Sequence, residues 1–122
     1  MNPKEYSFTV PGRPRPKGRP RFGRGGRAFT PKETVEYERK IREAAIASGV
    51  SLIDSDDLTF TVHVYVKNRV HGDVDNYVKA ASDALNKVAY QDDKQIKHIH
   101  GHLFYDADER MEIEIKETGI CA

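Results

Sequence analysis

Gly72-Asp73-Val74-Asp75-Asn76-Tyr77-Val78-Lys79 is the stretch on which the fold turns. It follows a β-branched run, Thr59 to Val66, that reads as a strand. It opens a segment, Val74 to Ala89, in which Val74, Val78, Ala81, Leu85 and Val88 recur at helical spacing. Asp73 and Asp75 therefore sit at a strand-to-helix junction, where a rigid frame aims side chains into a cleft. Asp73 is the expected N-cap, a position that also favours a carboxylate at the positive end of the helix. Asp75 and Lys79 are four residues apart and share a helix face.

Working outward, Tyr6, Phe8 and Val10 alternate in residues 5–10 and predict a short strand. Residues 11–29 hold four prolines and five glycines and read as a long loop. A small hairpin is expected inside it, with Arg19 to Phe22 and Arg27 to Phe29 as arms around Gly25-Gly26. Thr30-Pro31-Lys32-Glu33 reads as a helix start: Thr30 as N-cap, Pro31 at the first helical position, Glu33 completing a capping box. That helix runs to about Ser48, with Val35, Tyr37, Ile41, Ala44 and Ala45 on its apolar side, and Gly49 stops it. After the polar turn Asp54 to Asp57, the strand Leu58–Lys67 puts Phe60, Val62, Val64 and Val66 on one face. Lys94–Tyr105 and Glu109–Lys116 read as two more strands, joined as a hairpin through Asp106-Ala107-Asp108. Met111, Ile113 and Ile115 alternate there with Glu112, Glu114 and Lys116, one buried face and one wet face. The expected fold is α+β: a small mixed sheet of about four strands with two helices on one face, in the order β-loop-α-β-α-β-β.

The 122 residues suit one domain spanning 1–122, with one core. No apolar run approaches the roughly 18 residues of a membrane span, and no signal-peptide core precedes the first strand. A single cysteine, Cys121, cannot form an internal disulfide, which fits a cytoplasmic protein. The net charge of +1 hides an asymmetry: Tyr6 to Lys32 carries eight Lys/Arg and no acid, and residues 33–122 carry eleven basic and eighteen acidic residues. Either the arm and the body neutralise each other, or the arm meets a polyanion. Its position between a strand and a helix, and the interleaving of Phe22 and Phe29 with arginines, favour contact with nucleic-acid phosphates through Arg13, Arg15, Lys17, Arg19, Arg21, Arg24 and Arg27.

A second acidic pair, Asp92-Asp93, follows the second helix. A fold-back that brings Asp93 beside Asp73 and Asp75 would gather three hard oxygen ligands, with a lysine alongside. That set suits Mg²⁺ and phosphodiester chemistry. Lys79 would then stabilise transition-state charge or orient an attacking water, where the plain alternative is an ion pair with Asp75. Asn76 and Asp92 are candidates to support the ligand carboxylates. Asp83 reads as a helix-face charge. His98, His100 and His102 alternate on one strand face and read as a wet surface rather than a zinc site; His63 and His71 show no pattern.

The run Gly72-Asp73-Val74-Asp75-Asn76-Tyr77-Val78-Lys79-Ala80-Ala81-Ser82-Asp83-Ala84-Leu85, followed by Asp92-Asp93-Lys94-Gln95-Ile96, resembles the RusA family of Holliday junction resolvases. The shared pattern is Asp-x-Asp-Asn-x-x-Lys, a helix, then Asp-Asp-x-x-Val/Ile. Val10-Pro11-Gly12-Arg13-Pro14 and Lys17-Gly18-Arg19-Pro20-Arg21-Phe22 resemble the phage and prophage branch. The resemblance implies a homodimeric endonuclease that resolves four-way DNA junctions in recombination and repair, using Mg²⁺ or Mn²⁺. It also implies that Asp73, Asp75 and Asp93 are the catalytic acids and metal ligands and Lys79 the catalytic lysine. The basic loop departs from the family's best-known bacterial members in being longer and far more basic. The competing readings are a non-catalytic DNA- or RNA-binding protein and a nuclease for flaps or single strands.

Overall fold

The computed structural model describes residues 4–18 and 21–118. They form a four-stranded mixed sheet in the order β1-β6-β4-β5: β1 (Glu5–Pro11), β4 (Leu58–Val66), β5 (Ile96–Tyr105) and β6 (Arg110–Glu117). Two helices, α1 (Lys32–Ala47) and α2 (Val74–Ala84), cover one face, and a separate ribbon pairs β2 (Arg21–Phe22) with β3 (Ala28–Phe29). No helix among the described residues is long and apolar enough to cross a membrane.

β4 is the central strand because its residues can be buried. Phe60, Val62, Val64 and Val66 are fully enclosed under the helices. Met111, Ile113 and Ile115 of β6 and Phe8 and Val10 of β1 extend the same layer. Tyr37, Ile41 and Ala45 of α1, with Val78 and Ala81 of α2 and Leu85 just beyond it, close the core from above. Each enclosed Val, Ile, Leu or Phe contributes about 1.5–3 kcal/mol.

The expected β5–β6 hairpin does not form. β5 runs parallel to β4, Phe60 opposite Ile99 and Val64 opposite Leu103, while β6 runs antiparallel between β4 and β1. A parallel pair needs a crossover, and α2 supplies it. The Asp106–Asp108 turn then carries the chain past the end of β4, where the Asp106 N–H donates to the Val66 carbonyl at 2.9 Å. Alternation in the sequence specifies which face of a strand is buried, not which edge it pairs with.

Both helix boundaries differ from the sequence reading. Helix α1 begins at Lys32 with Pro31 in the cap position; Thr30 makes no capping bond, and the capping box is absent. The Thr34 hydroxyl accepts the Gly18 N–H at 2.9 Å, and Val35 points outward, 49% exposed. Gly49, at φ +84°, ends α1 as expected. Helix α2 stops at Ala84 rather than Ala89, and Asp73 occupies its cap position without a side-chain bond. Lys87 adopts φ +71° and its N–H donates to the Tyr90 carbonyl at 2.7 Å, a turn that breaks the helical path. Leu85 is still buried and Val88 packs partly buried against the core, which is why their spacing read as helix. The ribbon β2–β3 matches the expected hairpin around Gly25-Gly26.

Candidate active site

A cleft of about 350 Å³ opens between the start of α2 and the first half of β5. Its polar wall is Asp75, Lys79, Ser82 and Asp93, and its apolar wall is Val74, Val78, Ile96 and Ile99, with Gly101. The crossover explains the meeting: α2 starts where β4 ends, and the chain returns to begin β5 beside α2. Asp93, in the short 3-10 turn Asp93–Gln95 that opens β5, thus comes to share a cleft with Asp75 and Lys79.

Asp73 does not line this cleft. It holds an extended conformation one residue before the helix, whereas Asp75 lies in the first turn. Among the described residues no three His, Cys, Asp or Glu side chains converge into a single metal-holding group. The expected three-carboxylate cluster is therefore present as a pair, Asp75 and Asp93, with Asp73 nearby in sequence and solvent-exposed. Asn76 is exposed, and its carbonyl accepts the Lys17 N–H at 2.8 Å.

The turn that carries Asp93 is fixed by groups that leave no mark on periodicity. The Asp92 carboxylate accepts the Lys94 N–H at 2.9 Å. The Gln95 amide oxygen accepts the N–H groups of Gln91 and Asp92, and its nitrogen donates to the carbonyls of Ile53 and Ser55. Tyr90, buried, donates to the Ser82 carbonyl at 2.6 Å and ties the same segment to α2. The two neighbouring carboxyls part in their acidity. Burial, then the hydrogen bond with Asp92, pushes Asp93 up, against the pull of Lys79. The Lys94 N–H holds Asp92 down. Asp92 is thus a turn-capping carboxylate beside Asp93.

The segment before Asp73 is tied on both sides. The Gly72 N–H donates to the Tyr77 hydroxyl at 3.0 Å, and the Gly72 carbonyl lies 2.8 Å from His71 Nδ1. A carbonyl only accepts, so Nδ1 carries a proton, and Nε2 lies 3.0 Å from the Tyr105 hydroxyl. Arg69 lies over the Tyr105 ring, 5.1 Å from its centroid. A Cβ on Gly72 would come within 2.9 Å of Pro16, so only glycine lets the arm approach here.

Lys79 pairs with Asp83 at 3.2 Å and not with Asp75. Asp83 is more than a helix-face charge, because its other oxygen holds Lys17 at 3.1 Å, and Lys17 also meets Glu38 at 2.7 Å. Burial works against the Lys17 charge, but hydrogen bonds to Glu38 and Asp83 outweigh it and raise its pKa. Arg13 is likewise engaged, with Glu109 and the Val70 carbonyl. Arg15, Arg24 and Arg27 are exposed, and no ion pair engages them among the described residues. Arg21 lies in the ribbon backbone. Arg19 lies outside the described residues.

The histidine row faces away from the cleft, on the open side of the sheet. His98 approaches Asp57 at 3.4 Å, and His102 meets His63 edge-on at 5.1 Å. Tyr65 and Phe104 stack beside them.

The model of one family, endodeoxyribonuclease RusA, matches residues 11–116. The chain belongs to the RusA endodeoxyribonuclease family. The RusA match spans the arm, both helices, β4, β5 and nearly all of β6, and includes Asp73, Asp75, Lys79 and Asp93. Among curated proteins, the chain is similar to the uncharacterized protein YqaN of Bacillus subtilis (strain 168), 28% identical over 135 positions, with 91% of this chain and 95% of YqaN covered.

Proposed function

We propose that this chain is a Mg²⁺-dependent crossover junction endodeoxyribonuclease, active in the cytoplasm as a homodimer, that resolves four-way DNA junctions by paired nicks. One observation carries the reading: in a chain of the RusA family, α2 and the turn before β5 bring Asp75, Lys79 and Asp93 into one cleft.

The donor set suits the metal. Mg²⁺ is ordinarily held by one or two carboxylates, with waters and substrate phosphates completing its shell, so a two-carboxylate cleft fits it better than an all-protein cage would. Asp75 and Asp93 are the residues to hold it, with Mn²⁺ an alternative ion of the same oxygen preference. Asp73, exposed at the same helix start, is the third carboxylate that the family pattern supplies. The chemistry such an ion supplies when bound is charge neutralisation at the scissile phosphate and acidification of water near neutral pH.

The chain's own groups do the rest. The Lys79 ammonium, held on the cleft wall, is placed to stabilise charge growing on a phosphate oxygen. The Gln95 and Asp92 bonds hold Asp93 in position, so its carboxylate need not reorganise when substrate arrives. The exposed Arg15, Arg24 and Arg27 are free to take phosphates, which gives binding a steep salt dependence. Two nicks on strands of like polarity call for two equivalent sites, which a two-fold dimer supplies.

The test is a panel of DNA substrates at equal concentration: a four-way junction with an immobile centre, a flap, a linear duplex and a single strand, each with Mg²⁺ and with excess chelator. Paired nicks in the junction alone, lost on chelation, are expected. Equal cutting of flaps or single strands would replace junction resolution with a broader nuclease. Binding without cutting under every metal condition would make the chain a nucleic-acid-binding protein.

A further inference from the structure

Lys79 does not stand alone on α2. Its ammonium meets one oxygen of Asp83 at 3.2 Å, and the other oxygen of Asp83 meets Lys17 at 3.1 Å. Lys17 also binds Glu38 of α1 at 2.7 Å. Two lysines and two carboxylates alternate in one chain of contacts from α1, through the arm, to the cleft. Its inner members are well covered: the side chains of Glu38, Asp83 and Lys17 are 14%, 21% and 26% exposed, while Lys79 at the cleft is 56% exposed. Screening is therefore weakest where the arm joins the helices.

The backbone follows the same path. The Lys17 N–H donates to the Asn76 carbonyl in the first turn of α2, and the Gly18 N–H donates to Thr34 of α1. The segment that holds Lys17 is thus registered on both helices, and Lys17 is committed to protein partners although it sits in the most basic part of the sequence.

We propose that Asp83 is a positioning residue for Lys79, and that Lys17 is its counterweight, making Lys17 part of the active site's support rather than of the DNA contact surface. The proposal rests on the assignment of Lys79 as the catalytic lysine. With Lys17 on one oxygen, Asp83 holds its orientation and offers Lys79 only the other, which fixes the ammonium at the cleft rim. Without Asp83 the long Lys79 side chain regains its rotamers, and the well-placed charge is lost.

The experiment is a double-mutant cycle on single-turnover nicking of the four-way junction at saturating enzyme, using Asp83→Asn, Lys79→Ala and the pair, with Lys17→Gln measured alongside. Asp83→Asn is expected to slow nicking roughly 10- to 100-fold, and to add nothing further in the Lys79→Ala background. Asp83→Glu should recover part of the rate. Multiplying effects in the double variant would overturn the positioning role. Lys79→Ala nicking at the parent rate would overturn the catalytic assignment itself, and the inference with it. Lys17→Gln keeps the question open to refutation if Asp83→Asn does not fold. It should lower the nicking rate several-fold with the log–log salt slope of binding unchanged. A slope smaller by about 0.9 with the rate intact would make Lys17 an ordinary phosphate-binding residue on duplex DNA.

Discussion

Residues 12–18 and residues 21–29 are both rich in Arg and Gly, yet the first segment lies against the body and the second stands off it. In the first, Arg13 binds Glu109, Pro14 is buried, Pro16 sits on Gly72, and Lys17 is held by Glu38 and Asp83. In the second, Phe22 is 75% exposed and Phe29 49% exposed, and Arg24 and Arg27 face solvent. What separates them is the supply of carboxylates: α1, α2 and the residue just before β6 present Glu38, Asp83 and Glu109 to the inner segment. Apart from the exposed Arg15, the basic stretch is thus divided by its surroundings into a part that builds the site and a part left to capture a polyanion.

The division can be broken most forcefully by removing metal. Excess chelator should abolish nicking altogether while junction DNA is still bound in a gel-shift assay, because capture rests on the outer arm and cutting on the cleft. Loss of both together would mean that one set of groups serves both tasks. Next in size is Arg24→Ala with Arg27→Ala, which should weaken junction binding and lower the log–log salt slope by about 0.9 for each duplex phosphate that the arm no longer neutralises. An unchanged slope would place the phosphate-binding groups elsewhere.

On the inner side, Gly72→Ala drives a methyl into Pro16 and should cost about 1–3 kcal/mol of stability, read as a lower urea midpoint. A neutral result would mean the inner arm is not pinned there. The smallest effect concerns Glu109. Burial opposes its ionisation, but the Lys67 N–H and Arg13 win and hold its pKa below the ordinary 4.5. A carboxyl depressed in the folded state stabilises above its unfolded pKa, and that contribution fades as pH falls through the folded value. Glu109→Gln should therefore flatten the loss of thermal stability below about pH 4.5, measured by melting across an acid series; an unaltered slope would contradict the pairing.

The sequence made the helix-side core of this fold readable because period-2 and period-3.6 patterns report burial directly. Phe60 to Val66 and Met111 to Ile115 gave the right faces for that reason. Edge partnership left no such trace, so β6 was expected beside β5 and lies beside β4. The cleft was legible as residue types, since Asp75, Lys79 and Asp93 are placed by a strand–helix–turn order visible in the chain. Their support was not. Gln95 acts through carbonyls of Ile53 and Ser55, about forty residues away, and Lys17 reads as one more basic residue until Glu38 and Asp83 are seen around it.

The central claim is that the cleft between α2 and β5 is where DNA is cut, and Asp75→Asn tests it most directly because it removes one charge and almost no volume. Single-turnover nicking of a four-way junction in Mg²⁺ is the measurement, with gel-shift affinity and thermal melting on the same preparation. The expected result is a rate lower by orders of magnitude, as loss of several kcal/mol of transition-state stabilisation implies, with folding intact and metal-free junction binding equal or tighter. Nicking by Asp75→Asn at close to the parent rate would contradict the account and leave Asp75 a helix-start carboxylate with no part in the chemistry.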